Sequence, residues 1–182
     1  MKTPASFLVR CTFVVAAALC ALAVQAQPAA PQFKDYPADA AYTGANHALV
    51  IDSDFAKLFR TRLRNAIASS KPDFAGRYIV VRWGCGSDGC NMGAVIDATT
   101  GHATALPVVL SSASPVKPEF GNEAGQELIY KRSSRLMVFA GDINIEQPKG
   151  GSGDTVAFYE FANGKFRLVK SLPYGRKDMT AR

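Results

Sequence analysis

Ile79, Val81 and Trp83 alternate with Val80 and Arg82 along Tyr78-Ile-Val-Val-Arg-Trp-Gly84, and the β-branched content of this stretch predicts a strand. A glycine-rich run interrupts it, and Gly93-Ala-Val-Ile-Asp97 can pair back as a second strand. Upstream the period changes. Phe55, Leu58, Phe59, Leu63, Ala66 and Ile67 recur at the spacing of one helical face, Asp52-Ser-Asp54 supplies N-cap chemistry, and Ser69-Ser-Lys-Pro72 ends the helix. Downstream, Asp97-Ala-Thr-Thr-Gly101 reads as a turn. Ala103 to Leu110 then returns as a strand that Pro107 confines to an edge or a bulge. Ser111 to Gly125 is the longest break in pattern and reads as a loop.

Glu127-Leu-Ile-Tyr130 and Arg135-Leu-Met-Val-Phe139 flank a hairpin signal at Lys131-Arg-Ser-Ser134. Thr155 to Phe161 and Lys165 to Val169 flank Asn163-Gly164, a pair suited to a type I′ turn. One helix followed by about seven strands predicts an α+β fold, with an N-terminal amphipathic helix packed on a mostly antiparallel, meander-type β-sheet. The domain so defined runs over residues 46–173. A Pro- and Ala-rich arm at 27–45, expected to be flexible, precedes it, and a basic tail at 174–182 follows.

Residues 1–26 carry Lys2 and Arg10 ahead of an apolar core from Cys11 to Val24, and Val24-Gln-Ala26 offers small residues before Gln27. This is a signal peptide pattern and predicts a periplasmic or secreted protein. No later segment has 18 apolar residues in a row, so no further span is expected. The 182 residues less this leader make one ordinary domain, long enough to bury a real core. The formal net charge is +6, two units of it from the leader. A mildly basic surface serves solubility or an acidic partner. It does not point to nucleic acid, for which an aromatic-interleaved basic motif is missing. Lys57, Arg60, Arg62 and Arg64 fall on one helix, either as a solvated face whose stems cover the core or as an anionic docking face.

Gly84-Cys-Gly-Ser-Asp-Gly-Cys90 holds the only cysteines outside the leader, and five residues across a hairpin loop lets Cys85 and Cys90 meet bonding distance. Closing so short a loop contributes roughly 2 kcal/mol on a chain-entropy argument, enough to stiffen one loop but not to hold a fold. Gly84-x-Gly86-x-x-Gly89 matches a dinucleotide fingerprint only literally, because a strand follows where a helix is needed. A redox dithiol would want C-x-x-C at a helix start, and a zinc site would have to recruit His47 and His102. A structural staple, or a stiff projecting loop that enters a partner's cleft, suits the pattern better.

Other chemistry is not marked out. His47 and His102 have no motif neighbours, no Gly-x-Ser-x-Gly elbow occurs, and no alternating oxygen-ligand loop suggests calcium. Asp88, Asp97, Asp142, Asp154 and Glu160 are the carboxylates from which a hydrolase would have to draw a pair. No cofactor or metal is implied.

Phe74-Ala-Gly-Arg-Tyr78, Trp83-Gly-Cys-Gly-Ser-Asp-Gly-Cys90 and Asp97-Ala-Thr-Thr-Gly101 together resemble a family of small secreted proteobacterial proteins, a likeness that covers most of the mature chain and brings no activity with it. Over about a dozen residues, the C-x4-C loop is also similar to the loop by which Ivy-type periplasmic inhibitors block the cleft of lysozyme. That loop carries a histidine and basic character, which Cys85–Cys90 lacks, so the resemblance implies a plug-like architecture only. The expected function is a non-enzymatic protein-binding protein, an inhibitor or immunity factor against a partner such as a cell-wall-directed enzyme. Gly86, Ser87, Asp88 and Gly89 would form its tip, with Trp83 as support or aromatic anchor. The alternatives are a module binding a small molecule or envelope polymer, with 111–125 as a lid, and a carboxylate-dependent hydrolase.

Overall fold

The computed structural model describes residues 29–86, 91–113, 128–143 and 155–173. Its helical part begins where the capping pattern places it. Ser53 is extended and its Oγ accepts from the Ala56 amide at 3.1 Å, which satisfies a donor that a helix start leaves without a partner. The helix is broken into α1 (Asp54–Leu58) and α2 (Arg60–Ser69) by Phe59, whose φ of −103° and ψ of 16° leave the helical region. The pitch survives the break: Phe59 N donates to Phe55 O at 3.0 Å and Leu63 N to Phe59 O at 3.1 Å.

Among the described residues all strand pairings are antiparallel, in a mainly-β α+β fold. β1 (Tyr78–Gly84) and β2 (Asn91–Asp97) form the expected hairpin, Tyr78 opposite Asp97 and Gly84 opposite Asn91. β3 (Ala103–Ala105) and β4 (Leu110–Ala113) lie along the other edge of β2, interrupted around Pro107. Ser111 to Ala113 are thus strand, where the sequence pattern predicts loop. β4 continues the ladder by pairing β6 (Leu136–Ile143), and β5 (Leu128–Tyr130) also pairs β6, Tyr130 opposite Met137. β7 (Thr155–Ala162) and β8 (Lys165–Pro173) complete the order β1-β2-β4-β6-β7-β8. The β7–β8 turn has Asn163 at φ 52° and Gly164 at φ 72°, as a type I′ turn requires.

The ladder folds back on itself at β4, giving two antiparallel halves. Tyr78 of β1 meets Phe161 of β7 edge-on at 4.8 Å, and Thr104 Oγ1 donates to Gly164 O at 3.1 Å. Between the halves lies a core of Phe74, Tyr78, Val95, Met137, Phe139, Tyr159 and Phe161. Each half is also covered on its outer face. α1 and α2 pack Ala56, Leu63, Ala66 and Ile67 against Ile79, Trp83, Ala94 and Ile96. The N-terminal segment lays Ala30, Phe33 and Tyr36 on Ile129, Leu136, Val138, Val156 and Phe158. With both faces covered, 94–98, 136–140 and 155–159 are unbroken buried runs.

The expected flexible arm at 27–45 therefore needs correction. Within 29–45, a 3-10 turn at Phe33–Asp35 leads to a bridge between Pro37 and Ser134. Arg135 N donates to Tyr36 O at 2.8 Å, Ala38 N donates to Ser133 O at 3.0 Å, and the Ser134 hydroxyl lies 2.9 Å from both Phe33 O and Tyr36 O. Apolar contact of Phe33 and Tyr36 outweighs the looseness that the proline content suggests.

Candidate functional site

The β1–β2 hairpin ends in the loop that the sequence singles out, and its root is built from three aromatic rings. Trp83, opposite Met92, is only 7% exposed, with its ring 4.9 Å from Phe59 and 6.4 Å from Phe55. The Arg62 guanidinium lies over the indole at 5.9 Å, within the range of a cation–π contact. Trp83 Nε1 is buried with no hydrogen-bond partner, a condition that costs about 1–3 kcal/mol. Ring packing holds the indole there at that cost, so Trp83 supports the hairpin from beneath and offers a partner little surface.

Gly84, Cys85 and Gly86 continue from this root at the exposed surface. Cys85 is engaged in a disulfide, and the other half of the pair lies outside the described residues. So do Ser87, Asp88, Gly89 and Cys90. The structure thus places Trp83 below the loop and Gly86 on its exposed path.

A second cluster was not visible in the sequence. Asp73 Oδ1 accepts from Val80 N at 2.9 Å and Oδ2 accepts from the Tyr130 hydroxyl at 3.0 Å. Burial pushes the Asp73 carboxyl upward, against the lowering effect of the Val80 amide and the Tyr130 hydroxyl. Burial, with the Asp73 charge beside it, pushes the Tyr130 phenol well above its ordinary range, and burial lowers Arg82. Both Asp73 oxygens are occupied, which makes this a latch between the entry to β1 and β5. Its members lie far apart along the chain, and no short motif joins them.

The remaining candidates resolve into pairs. His102 Nδ1 lies 2.7 Å from Asp52 Oδ2 at the exposed surface, and among the described residues no hydroxyl or thiol side chain takes up Nε2 as a nucleophile would. Asp97 accepts from Arg77 Nε at 3.0 Å, Thr99 N at 2.8 Å and Thr99 Oγ1 at 2.6 Å, holding the turn. Glu160 pairs with Arg135 and Arg167. Asp88 and Asp154 lie outside the described residues, and Asp142 is on β6. Among the described residues no three His, Cys, Asp or Glu side chains are grouped to hold a metal ion, and no helix is long and apolar enough to cross a membrane.

Comparison with protein families, with characterised proteins and with solved structures gives no match to this chain.

Proposed function

We propose that this is a periplasmic or secreted protein-binding protein, acting as an inhibitor or immunity factor through the hairpin loop between β1 and β2, closed by a Cys85–Cys90 disulfide. One observation carries the reading: the exposed Gly84-Cys85-Gly86 path springs from a root fixed by Trp83, Phe55 and Phe59. A loop held at its base and stapled across its neck loses little conformational freedom on binding, which favours affinity. The local resemblance of its C-x4-C loop to that of Ivy-type inhibitors adds the plug mode by analogy. The scaffold is read as a helix-backed antiparallel meander, with Gly86, Ser87, Asp88 and Gly89 at the tip. The aromatic side chains between the two halves contact one another, Phe74, Tyr78, Phe161 and Phe166 forming one run of rings, so they do not favour a ligand-binding concavity.

The test is capture from envelope extracts by the mature protein, wild type beside a Ser87→Ala/Asp88→Ala variant. The variant is expected to lose partner capture at least tenfold while its thermal midpoint stays within about 1 °C of wild type, below the roughly 2–4 °C that 1 kcal/mol gives in a chain of this size. Equal capture by both proteins removes the loop from the reading.

A further inference from the structure

The outward side of α1 and α2 has an unbalanced charge. Lys57, Arg60, Arg62 and Arg64 are all exposed, and Asp54 is the one acid between residues 54 and 69. Lys57 already takes that acid, Nζ to Oδ1 at 3.1 Å. Among the described residues, Arg60, Arg62 and Arg64 meet no carboxylate. Beside them Leu58 is 75% exposed, the most exposed of the large apolar side chains described. Because the helical pitch continues through Phe59, Leu58 and Arg62 are four apart and adjacent on the surface. Arg62 in turn covers Trp83, so the patch runs from the helix onto the root of the hairpin.

We infer that the outward half of α1 and α2, with Leu58 and Arg62 on one flank and Arg60 and Arg64 on the other, is a docking surface for an acidic protein, which supplies carboxylates to the arginines and an apolar recess to Leu58. This rests on the reading above and names the partner's chemistry. The planar guanidinium, used three times here against one lysine, suits paired recognition of carboxylates. A membrane surface would call for a broad apolar stripe, and one leucine among cations is not that. Single-stranded nucleic acid would call for exposed rings on which bases stack, whereas Phe55, Phe59 and Trp83 stack on one another. Surface arginines often serve only as solvated stems. Here the apolar face of α2 is already covered by the sheet, and the missing acids and the exposed leucine are left without a role by that explanation.

The experiment uses the mature chain and two synthetic polyglutamate peptides, one bearing interspersed leucines and one without, followed by amide and indole N–H shifts. Anionic phosphatidylglycerol vesicles and a single-stranded DNA oligomer are the competing arms. The leucine-bearing peptide is expected to bind about tenfold more tightly than the plain one, moving the signals of residues 57–64 and of the Trp83 indole. Leu58→Ala should erase that preference, and Arg60→Gln/Arg62→Gln/Arg64→Gln should abolish binding, whereas Arg60→Gln/Arg64→Gln, which leaves Arg62 over Trp83, should weaken binding at least tenfold without changing the thermal midpoint. Equal binding of both peptides, tighter binding of vesicles or DNA, or shifts confined to other residues would overturn the proposal. The same triple variant in the capture experiment separates the two readings. Capture lost by the loop variant but kept by the helix variant removes this surface alone, and capture unaffected by either removes both.

Discussion

Asp73 is bound by an amide and a phenol, and burial still raises its carboxyl above the ordinary value because it outweighs the hydrogen bonds to the charged form. The sign of its effect on stability follows. Its folded pKa lies above the unfolded value of 3.8, so between the two values the native state binds more protons than the unfolded chain. The contribution of Asp73 is therefore most favourable below 3.8 and declines as pH rises through the folded pKa. Asp73→Asn keeps an acceptor for Val80 N and removes the ionisation. Urea unfolding at a series of acid pH values should show the variant gaining stability relative to wild type as pH rises through that window, with a constant difference above it. Nothing around Asp73 announces this in the sequence, since Tyr130 lies 57 positions away. Trp83 is a different case: its place at the loop root was legible from strand alternation. Its burial was not, because that depends on Phe55 and Phe59 arriving from another element.

At the scale of elements, two glycines with similar backbone angles carry different demands. Gly164 has φ 72° and open space around it, while Gly101 has φ 78° and an added Cβ would stand 1.9 Å from Ala48 O. Gly164→Ala is expected to cost about 1 kcal/mol for the left-handed conformation alone. Gly101→Ala must also push away the segment before the helix, loosening His47 N to Ala98 O and Val50 N to Gly101 O. It should cost about 2 kcal/mol more, counted as two hydrogen bonds, and denaturant unfolding of the two variants measures the difference. The hairpins at 78–97, 128–143 and 155–173 were legible because alternation and turn residues agree there. β4 was not, since Leu110-Ser-Ser-Ala113 is held by backbone pairing to β2 and β6, which leaves no hydrophobic signature. The helix was legible as one unit, but its break at Phe59 was not, because no glycine or proline marks it.

Across the molecule, three apolar layers hold the two halves of the ladder: the helices outside one half, the shared core between them, and the N-terminal segment outside the other. The third layer could not be read from the sequence, because Phe33 and Tyr36 stand among prolines with no periodicity to mark them. Deleting residues 27–36 should uncover Ile129, Val138 and Phe158. The loss is on the order of 2 kcal/mol for two half-buried aromatic side chains. Calorimetry should show a lower midpoint, and an apolar dye should bind the truncated chain and not the intact one.

The attachment of that segment also sets an order of events. Tyr36 finds its partner at Ser134, 98 positions later, and Lys170 Nζ reaches back to Ala29 O at 3.3 Å. A chain that emerges from its N-terminus therefore presents Phe33 and Tyr36 long before any surface exists to receive them. Pairings this distant make folding slow compared with that of a helical bundle. A chain halted before β6 would leave these residues with no surface to meet. One halted before β7 would offer them that surface without Val156 and Phe158, so the first residues of the fold come fully to rest only as the last hairpin is added.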